Sequence, residues 1–320
     1  MVCPSRLGHC VGMRTLIAWV LAAGCLGWAA MRAFGLEQGF PLVPLIAYTP
    51  FVVVASAAVV LIALVLRRRG AALVAALAAV ALAGMVAPRA LGGPTDPEGD
   101  AGAPLRVLTV NMHYGTGSAP ELVALVRSTH PDVLSVQELT PDLVRRLDAA
   151  GLGELLPHYV LAAEDGAGGT GLYARSELTP TARPATVATM ASARMGDIDI
   201  VAVHTQPPLR SRIGMWDRDL RSLPAASPDG DLRILAGDFN ATLDHAELRR
   251  LIDTGYEDAA ATVGDGLRPT WPQGRHMPPP VTIDHVLADE RCGVRKVTIH
   301  TIHGTDHRAV FADLVLPQGG

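Results

Sequence analysis

The first third of the chain alternates long uncharged apolar runs with short charged turns. Residues 15–31, 42–66 and 71–87 carry no charged side chain. A helix needs about 20 apolar residues to cross the hydrocarbon core of a bilayer, so the three runs predict three transmembrane helices. The alternatives are a cleaved signal peptide for the first run and a buried core helix for the third. Because two more apolar runs follow the first and no small-residue cleavage site stands out, three spans are favoured.

The arginines around these runs predict the orientation of the anchor. Arg6 and Arg14 precede the first run, and Arg67–Arg69 fill the turn between the second and third. Only Arg32 and Arg89 lie near the opposite ends. Cytoplasmic loops carry the excess of arginine and lysine in membrane proteins. We therefore expect the N-terminus in the cytoplasm and everything after Arg89 outside the cytoplasmic membrane.

A composition change separates this anchor, residues 1–91, from the rest of the chain. Residues 92–104 lack apolar periodicity and are rich in glycine and proline, which predicts a flexible linker. In residues 105–320, short apolar runs alternate with helical patterns, and Ser118 and Thr140 are typical helix N-caps. The pattern predicts two packed sheets flanked by helices. The expected strands are residues 106–112, 133–137, 159–163, 171–174, 198–204, 232–236, 282–287, 294–302 and 309–316.

Composition and charge narrow the functional classes. The chain has 320 residues, 49% of them hydrophobic, and a mean hydropathy of +0.27, with the excess in the apolar runs. Seven of its 27 basic and four of its 31 acidic residues precede residue 105, which leaves the domain a net charge of −7. An acidic domain with few aromatic residues argues against a surface that grips duplex DNA. Its one cysteine, Cys292, cannot form an internal disulfide.

Polar side chains stand where several predicted strands end. Asn111 follows the apolar run of residues 107–110, Glu138 follows residues 133–136 and Gln137, and His204 closes residues 198–204. The ends of adjacent strands face one cleft, where a buried carboxylate needs a cation or a partner. Taken singly, each residue also has a structural interpretation. Asn111 is then a turn residue, Glu138 an acid at a helix start, and His204 a satisfied structural histidine.

The motif Gly237-Asp238-Phe239-Asn240 is a stronger candidate for chemistry. Its glycine lets another backbone approach closely, and strand alternation directs Asp238 and Asn240 to the same side. An acceptor beside a neutral donor suits a site in which Asp238 orients a water and Asn240 stabilises a negative oxygen. An Asx-rich turn after a strand is the structural alternative.

Two acidic motifs follow near the C-terminus, Ile283-Asp284-His285 and Thr305-Asp306-His307. An aspartate that pairs with a histidine raises the basicity of the imidazole and fixes its tautomer. A general acid or base that contacts phosphate needs both properties. One of these carboxylates can therefore hold His307 while another reaches a metal.

Together these motifs resemble the endonuclease/exonuclease/phosphatase superfamily, a metal-dependent group that includes type I deoxyribonucleases, neutral sphingomyelinases and inositol-polyphosphate 5-phosphatases. The resemblance covers about residues 105–316 and implies phosphoester hydrolysis by an α/β four-layer sandwich, two mixed sheets flanked by helices. Gly169-Thr170-Gly171-Leu172 is similar to the family's glycine turn before a central strand. The matching motifs, in order, are Val110-Asn111, Val136-Gln137-Glu138, Val203-His204, Gly237-Asp238-Phe239-Asn240, Ile283-Asp284-His285 and Thr305-Asp306-His307.

By this resemblance, Glu138 would bind a divalent metal, with Asn111 and Asp306 close to the metal or to its waters. Oxygen ligands without thiolates fit a hard cation, Mg²⁺ first and Mn²⁺ as the other candidate. Asn111 thus counts as both a catalytic and a metal-site residue.

The resemblance also implies roles around the phosphoryl group. Asp238 would orient or deprotonate the attacking water, and Asn240 would bind a phosphate oxygen. His204 and His307 would donate to the phosphoryl group, with Asp284 supporting His307. The reaction would be an in-line displacement at phosphorus.

The anchor and the motif Arg268-Pro269-Thr270-Trp271-Pro272 are similar to actinobacterial membrane proteins associated with teicoplanin resistance. This implies a membrane-anchored phosphatase or pyrophosphatase that acts on a lipid-linked or small phosphate outside the cytoplasmic membrane. Trp271 is either a pocket wall or a packed core residue. An extracytoplasmic nuclease acting on DNA is the alternative function. It is disfavoured because no clear tyrosine precedes His204, where many DNA-directed members carry one, and because the domain is compact. A catalytically inactive binding module is the third hypothesis.

Overall fold

The chain folds as two compact units in the computed structural model, which describes residues 5–97, 101–274 and 278–318. One unit comprises Met1–Pro88 with Asp244–Ala246, and the other comprises Arg89–Leu243 with Glu247–Gly320. Residues 98–100 of the expected linker lie outside the described part of the chain.

The first unit is helical. Two of its helical stretches, Gly12–Phe34 and Arg69–Ala90, are long and apolar enough to cross a membrane, with mean hydropathies of 1.6 and 2.3. The expected span of residues 42–66 is instead divided into a short helix and a 17-residue helix. Pro50 lies in the first turn of the longer one, where its missing N–H costs nothing. The helices are α1 (Ser5–Phe34), α2 (Leu42–Ile46), α3 (Thr49–Val65) and α4 (Arg69–Val86), followed by a 3₁₀ turn (Ala87–Ala90).

Three polar contacts within this first unit pair buried side chains with partners. The Arg32 guanidinium donates to the Asp244 carboxylate at 2.7 Å, with both side chains at most 9% exposed. A Glu37 carboxylate oxygen accepts from the Ala246 backbone N–H at 2.6 Å. His245 Nε2 donates to the Val43 carbonyl at 3.0 Å. The tripeptide Asp244–Ala246 is thus tied to the helical unit by three polar contacts.

The second unit is a mixed α/β structure with twelve strands among its described residues. The strands are β1 (Ala101–Asn111), β2 (Val133–Gln137), β3 (His158–Ala162), β4 (Thr170–Ala174), β5 (Thr179–Pro180), β6 (Ser192–Met195), β7 (Ile198–His204), β8 (Leu232–Asp238), β9 (Tyr256–Asp258), β10 (Asp284–Asp289), β11 (Gly293–Thr301) and β12 (Arg308–Pro317). The helices are α5 (Ala119–Thr129), α6 (Pro141–Ala149), α7 (Leu152–Leu155), α8 (Ile213–Ser222), α9 (Ala246–Ile252) and α10 (Ala259–Thr262).

The strands form two six-stranded mixed sheets, in the orders β11-β12-β1-β2-β4-β3 and β5-β6-β7-β8-β10-β9. Side chains of both sheets share one apolar cluster, in which Val107 and Val133 of the first sheet meet Ile200 and Ile234 of the second. A second cluster packs helices α5, α6 and α7 against the outer face of the first sheet. The domain is therefore an α/β sandwich of two mixed sheets, as the sequence predicts.

The predicted helix caps are confirmed. Ser118 Oγ accepts from the Glu121 N–H at 3.4 Å, and Thr140 Oγ1 accepts from the Leu143 N–H at 3.1 Å. These caps satisfy backbone donors that have no partner inside the helix. They begin α5 and α6 where the sequence indicates.

The expected linker through residue 104 differs from the structure at its end. Strand β1 begins at Ala101, because residues 101–109 pair antiparallel with β12. Thr95 also exchanges hydrogen bonds with Val294, at 2.9 and 3.0 Å. Residues 101–104 therefore belong to the folded domain, and their glycine and proline content concealed the pairing.

Candidate active site

Strand ends bring the predicted polar residues together. In the parallel pair β1–β2, Asn111 stands opposite Gln137, one residue before Glu138. In the parallel pair β7–β8, His204 stands opposite Asp238, which faces Asp284 across the antiparallel pair β8–β10. The contacts described below join all eight candidates in one network. Its members are Asn111, Glu138, His204, Asp238, Asn240, Asp284, Asp306 and His307.

Asn111 links the two sheets at the floor of this site. Its Nδ2 atom donates to Glu138 Oε1 at 3.1 Å and to Asp238 Oδ2 at 3.0 Å. The side chain is fully buried, so both amide protons are held by carboxylates away from bulk water. Its Oδ1 atom accepts from the His113 N–H at 2.9 Å, so Asn111 is a turn residue as well as a member of the site.

Glu138 projects into the site from an unusual backbone conformation. Its φ is +53°, in the left-handed region, and its second carboxylate oxygen accepts from the Tyr114 N–H. Non-glycine residues adopt this region rarely, and it recurs at functional sites. Gly169 supports the turn, because a Cβ there would lie 2.2 Å from the Leu139 carbonyl oxygen.

Gly237 shows the close backbone approach that the sequence suggested. A Cβ at this position would lie 1.9 Å from the carbonyl oxygen of Val203 on the adjacent strand. The missing side chain lets β7 and β8 run side by side up to their last residues. Those last residues are His204 and Asp238.

Asn240 follows β8 in a left-handed turn, with a φ of +46°. Its backbone N–H donates to Asp238 Oδ1 at 2.8 Å, and its amide Nδ2 lies 3.3 Å from Asp238 Oδ2. The same amide donates to the Thr205 carbonyl at 2.9 Å. Asp238 and Asn240 do share one side, but the turn brings them together rather than strand alternation.

His307 is paired with Asp284 and not with its chain neighbour. His307 Nδ1 lies 3.0 Å from each carboxylate oxygen of Asp284, and both side chains are at most 7% exposed. His307 Nε2 lies 3.9 Å from Asp306 and 3.8 Å from Asp238. Of the two candidate partners, the structure selects Asp284 as the one that fixes the His307 ring.

The pKa values of His307 and Asp238 are both raised, for different reasons. Burial lowers the pKa of the imidazole, but the carboxylates of Asp284 and Asp238 raise it by more. Burial also raises the pKa of the Asp238 carboxyl, against the opposing effect of the nearby His307 and His204 charges. A charged His307 and a more basic Asp238 carboxylate result.

His204 faces the carboxylates of Glu138 and Asp238. Its Nε2 atom lies 3.9 Å from Glu138 Oε1 and 3.9 Å from Asp238 Oδ2. Its Nδ1 atom is buried and has no hydrogen-bond partner among the described residues. A purely structural histidine in this position would have its ring nitrogens satisfied.

Two groups of side chains can be considered for a metal ion. Asp238, Asp284 and His307 bring one donor atom each to within 4.8 Å of one another. In this group, however, His307 Nδ1 lies within hydrogen-bonding distance of both carboxylate oxygens of Asp284. The two residues therefore form a hydrogen-bonded pair, which competes with metal binding.

Glu138 and Asp306 fit a hard cation better. Asp306 Oδ1 is buried and forms no hydrogen bond within the described part of the chain, although His113 Nδ1 lies 3.0 Å away. A buried carboxylate oxygen in that condition is costly without a cation. Glu138 adds a carboxylate that is only 8% exposed, and oxygen donors of this kind suit Mg²⁺ or Mn²⁺.

Several residues of the site were not singled out by the sequence. His113 and Tyr114 lie in successive left-handed conformations, with φ values of +44° and +52°. Thr305 Oγ1 donates to the Asn111 carbonyl at 2.7 Å and accepts from the His307 N–H at 3.0 Å. Thr270 Oγ1 accepts from the Asp284 N–H at 3.1 Å. Only their place in the sequence could have indicated them, because each of these residues lies next to a motif or within one.

Trp271 is placed at the site by two contacts. Its Nε1 donates to Asp306 Oδ2 at 3.1 Å, and its ring centroid lies 6.4 Å from that of His307. The side chain is half-buried. Of the two interpretations of Trp271, a wall beside the site describes the geometry.

The sequence profile of the Endonuclease/Exonuclease/phosphatase family matches residues 108–307, which include all eight residues of the site. The chain belongs to this family. It is therefore an enzyme that hydrolyses phosphoester bonds, in a family whose enzymes depend on divalent metals. A comparison with curated proteins finds no match.

Solved structures share the fold at low sequence identity. A humanised TDP2 from D. rerio has a TM-score of 0.53 at 18% identity and covers 66% of this chain and 98% of its own. An AP endonuclease from Archaeoglobus fulgidus gives 0.54 at 11% identity, over 65% and 98% of the two chains. The 3'-5' exonuclease NExo from Neisseria meningitidis gives 0.53 at 16%, over 65% and 98%. At these identities the likeness concerns the fold alone.

Proposed function

We propose that this protein is a membrane-anchored, divalent-metal-dependent phosphoester hydrolase that acts outside the cytoplasmic membrane on a lipid-linked or small phosphate or pyrophosphate. The observation that carries the chemical part is the His307–Asp284 pair beside Asp238. The pair supplies a fixed charged donor for the phosphoryl oxygens, and the buried Asp238 carboxylate beside it supplies a base for the attacking water. A phosphoester displacement needs both groups.

Asp238 is proposed as the base for the attacking water. The Asn111 amide and the Asn240 N–H hold its two oxygens, at 3.0 and 2.8 Å, so the carboxylate cannot rotate. A raised pKa makes the carboxylate a stronger proton acceptor than an exposed aspartate. As the water oxygen bonds to phosphorus, the ester P–O bond breaks, the leaving group departs with the electron pair of that bond, and the water proton passes to Asp238.

His307, His204 and Asn240 are proposed to bind the phosphoryl oxygens. Asp284 holds Nδ1 of His307, which leaves the Nε2 proton directed toward the site. Fixed donors that meet the negative charge as it develops stabilise the transition state more than the ground state. Mutation of Asp284 should therefore act through His307.

Glu138, Asp306 and Asn111 are proposed to hold the metal, Mg²⁺ or Mn²⁺. The buried Asp306 oxygen without a hydrogen bond and the nearly buried Glu138 support this assignment. When bound, the ion neutralises charge on the phosphate oxygens. Trp271 and Asn111 hold Asp306 and Glu138 by one hydrogen bond each.

The membrane part of the proposal rests on the helices before the domain. Large apolar side chains are exposed on all three long helices, among them Val20 at 60%, Val54 at 72%, Val65 at 81% and Val80 at 72%. Lipid would cover such surfaces at lower free-energy cost than water. A third span through α3 follows from the uncharged run of residues 42–66, and the orientation with the N-terminus inside follows from the arginine pattern. Both remain predictions. A role in resistance to teicoplanin-type antibiotics is the physiological proposal.

An extracytoplasmic nuclease acting on DNA is the second candidate. The structural neighbours named as an exonuclease and an AP endonuclease favour it. The net charge of −7 on the domain opposes it, because counterion release by basic residues provides most of the affinity for DNA.

A substrate panel distinguishes the two candidates. The full chain in detergent micelles with Mg²⁺ is offered undecaprenyl pyrophosphate, a soluble phosphomonoester and plasmid DNA. We expect phosphate release from the lipid or the small phosphate, and its loss in Asp238→Asn. Nicking of DNA without release of phosphate from the other two would replace the first candidate with the second.

A reporter fused after Gly320 tests the location separately. An alkaline phosphatase reporter becomes active only outside the cytoplasm, so we expect activity from this fusion. An active cytoplasmic reporter at the same position would contradict the proposed orientation.

A further inference from the structure

Four successive carbonyl groups around Asn240 each accept a hydrogen bond. Thr205 donates twice, from its N–H to the Asp238 carbonyl at 3.1 Å and from its hydroxyl to the Phe239 carbonyl at 2.5 Å. The next two carbonyls are bound by side chains from distant elements, described below. A turn with a left-handed non-glycine residue needs such support, because the conformation itself is unfavourable.

Trp216 holds the carbonyl of Asn240 itself. This residue lies on α8, is 3% exposed, and donates its indole Nε1–H to that oxygen at 3.0 Å. The bond fixes the peptide on the C-terminal side of the Asn240 Cα. The indole Nε1–H can only donate a hydrogen bond, and here it donates to the Asn240 carbonyl.

His285 holds the next carbonyl, that of Ala241. The ring is 1% exposed, with Nε2 2.9 Å from the Ala241 oxygen and Nδ1 2.7 Å from Asp258 Oδ2. A carbonyl oxygen accepts only, so Nε2 carries a proton, and the contact with Asp258 requires a second proton on the pair. His285 therefore bridges the Ala241 carbonyl and the Asp258 carboxylate through its two ring nitrogens.

Asp258 fixes this bridge to the scaffold. Its other oxygen accepts from the Ala261 N–H at 2.7 Å and caps α10. Asp258 also ends β9, whose pairing with β10 sets it opposite Leu287, two residues after His285. The Phe239 ring meets the His285 ring edge to face, with centroids 5.6 Å apart. The bridge therefore has little freedom to move.

We infer that His285 and Trp216 are positioning residues, which hold Asn240 in its left-handed turn so that its carboxamide can bind a phosphoryl oxygen. The inference rests on the role proposed above for Asn240. Neither ring would touch the substrate. Both would act through the two peptide carbonyls that follow the Asn240 Cα.

Two matched substitutions separate the contacts of His285. In His285→Gln the amide nitrogen stands near the position of Nε2 and can still donate to Ala241. In His285→Asn the amide stands near Nδ1, so the bond to Ala241 is lost while that to Asp258 is kept. Trp216→Phe keeps one aromatic six-membered ring and removes the indole N–H together with the rest of the five-membered ring.

The test is a double-mutant cycle with Asn240→Ala, on the full chain in detergent micelles with Mg²⁺ and bis(p-nitrophenyl) phosphate. We expect Asn240→Ala to lower kcat about 100-fold, as for loss of an oxyanion donor. His285→Asn and Trp216→Phe should each lower kcat roughly tenfold with little change in KM, and His285→Gln should recover most of the loss. In the Asn240→Ala background, the same changes should have almost no further effect.

The outcomes are separable. The positioning role would be overturned if His285→Asn and Trp216→Phe lowered kcat by the same factor in the Asn240→Ala background as in the unaltered protein. An equal fall in kcat in His285→Gln and His285→Asn would also overturn it. Full activity of Asn240→Ala would also overturn it, while activity that still requires Asp238 would leave the phosphoesterase proposal intact. Failure of the unaltered protein to hydrolyse both this diester and the substrates of the panel above would instead count against the proposed function. Unfolding midpoints in urea identify any variant that has lost its fold.

Discussion

His307 Nδ1 lies 3.0 Å from both carboxylate oxygens of Asp284, and the two residues come from segments 23 positions apart in the chain. The pair is buried, with Asp284 2% and His307 6% exposed. This arrangement orients one ring nitrogen and leaves the other for the substrate. It also determines what a change at Asp284 should do.

We predict that Asp284→Asn lowers kcat by about 1,000-fold or more while the fold is kept. An amide in place of the carboxylate removes the charge that stabilises the imidazolium and allows the wrong tautomer, as in the serine-protease triad, where the same change costs about 10⁴. Steady-state kinetics measure the loss. Asp253→Asn, an exposed aspartate outside the site, is the matched control and should keep full activity. A fall of less than about tenfold would show that His307 does not depend on Asp284.

Removal of metal should abolish activity, and Glu138→Gln should weaken metal binding. The amide keeps the size of the side chain but removes one negative charge, which lowers affinity for a hard cation. We expect EDTA to stop hydrolysis, Mg²⁺ or Mn²⁺ to restore it, and the half-saturating metal concentration to rise roughly tenfold in Glu138→Gln. An unchanged metal titration curve would remove Glu138 from the metal site.

Gly237→Ala should destabilise the domain strongly. The new Cβ would stand 1.9 Å from the Val203 carbonyl oxygen, so β7 and β8 must separate. Overpacking of this kind costs about 3 kcal/mol or more when backbone has to move. Urea unfolding measures the change.

Gly214→Ala is the matched control for this prediction. Gly214 lies in α8, and a Cβ there would meet nothing within 4 Å. Alanine is the better helix former, so stability should stay the same or rise slightly. Equal stability of the two variants would contradict the close approach of the strands.

The His285–Asp258 pair should make stability depend on pH. Burial lowers the pKa of His285, but the Asp258 charge and the hydrogen bonds to Asp258 and Ala241 raise it by more. The folded pKa therefore lies above that of an unfolded histidine, about 6.5. The stabilisation is fully present below about pH 6.5 and is lost as pH rises through the folded pKa. The stability gap between the unaltered protein and His285→Gln should narrow from about pH 6 to about pH 9 in urea unfolding. A gap that widens would contradict this sign.

The sequence predicted long apolar strands well and strands of two to four residues poorly. Ile198–His204 was predicted at its observed bounds, because five of its seven residues are apolar and a turn precedes it. Thr179–Pro180, Ser192–Met195 and Tyr256–Asp258 were missed. Two to four residues carry no periodic signal, and each of these strands exists only through pairing with a neighbour.

The candidate site was predicted by motif but not by contact. The residues alone left Asp284 and Asp306 open as partners of His307, and only the family resemblance pointed to Asp284, which lies 3.0 Å from the ring. His113 and Tyr114 depend on left-handed conformations that residue type does not indicate. Trp216, which donates to the Asn240 carbonyl, lies on a helix that no sequence pattern connects with the site. Tertiary packing decides these contacts.

The most direct test of the phosphoesterase mechanism is the turnover of bis(p-nitrophenyl) phosphate by His307→Ala, with the full chain in detergent micelles and saturating Mg²⁺. Loss of a general acid or charged donor costs about 10²–10⁴ in rate, so we predict a fall in kcat of about 1,000-fold with an unchanged circular dichroism spectrum. Turnover close to that of the unaltered protein would contradict the central claim that His307 acts on the phosphoryl group.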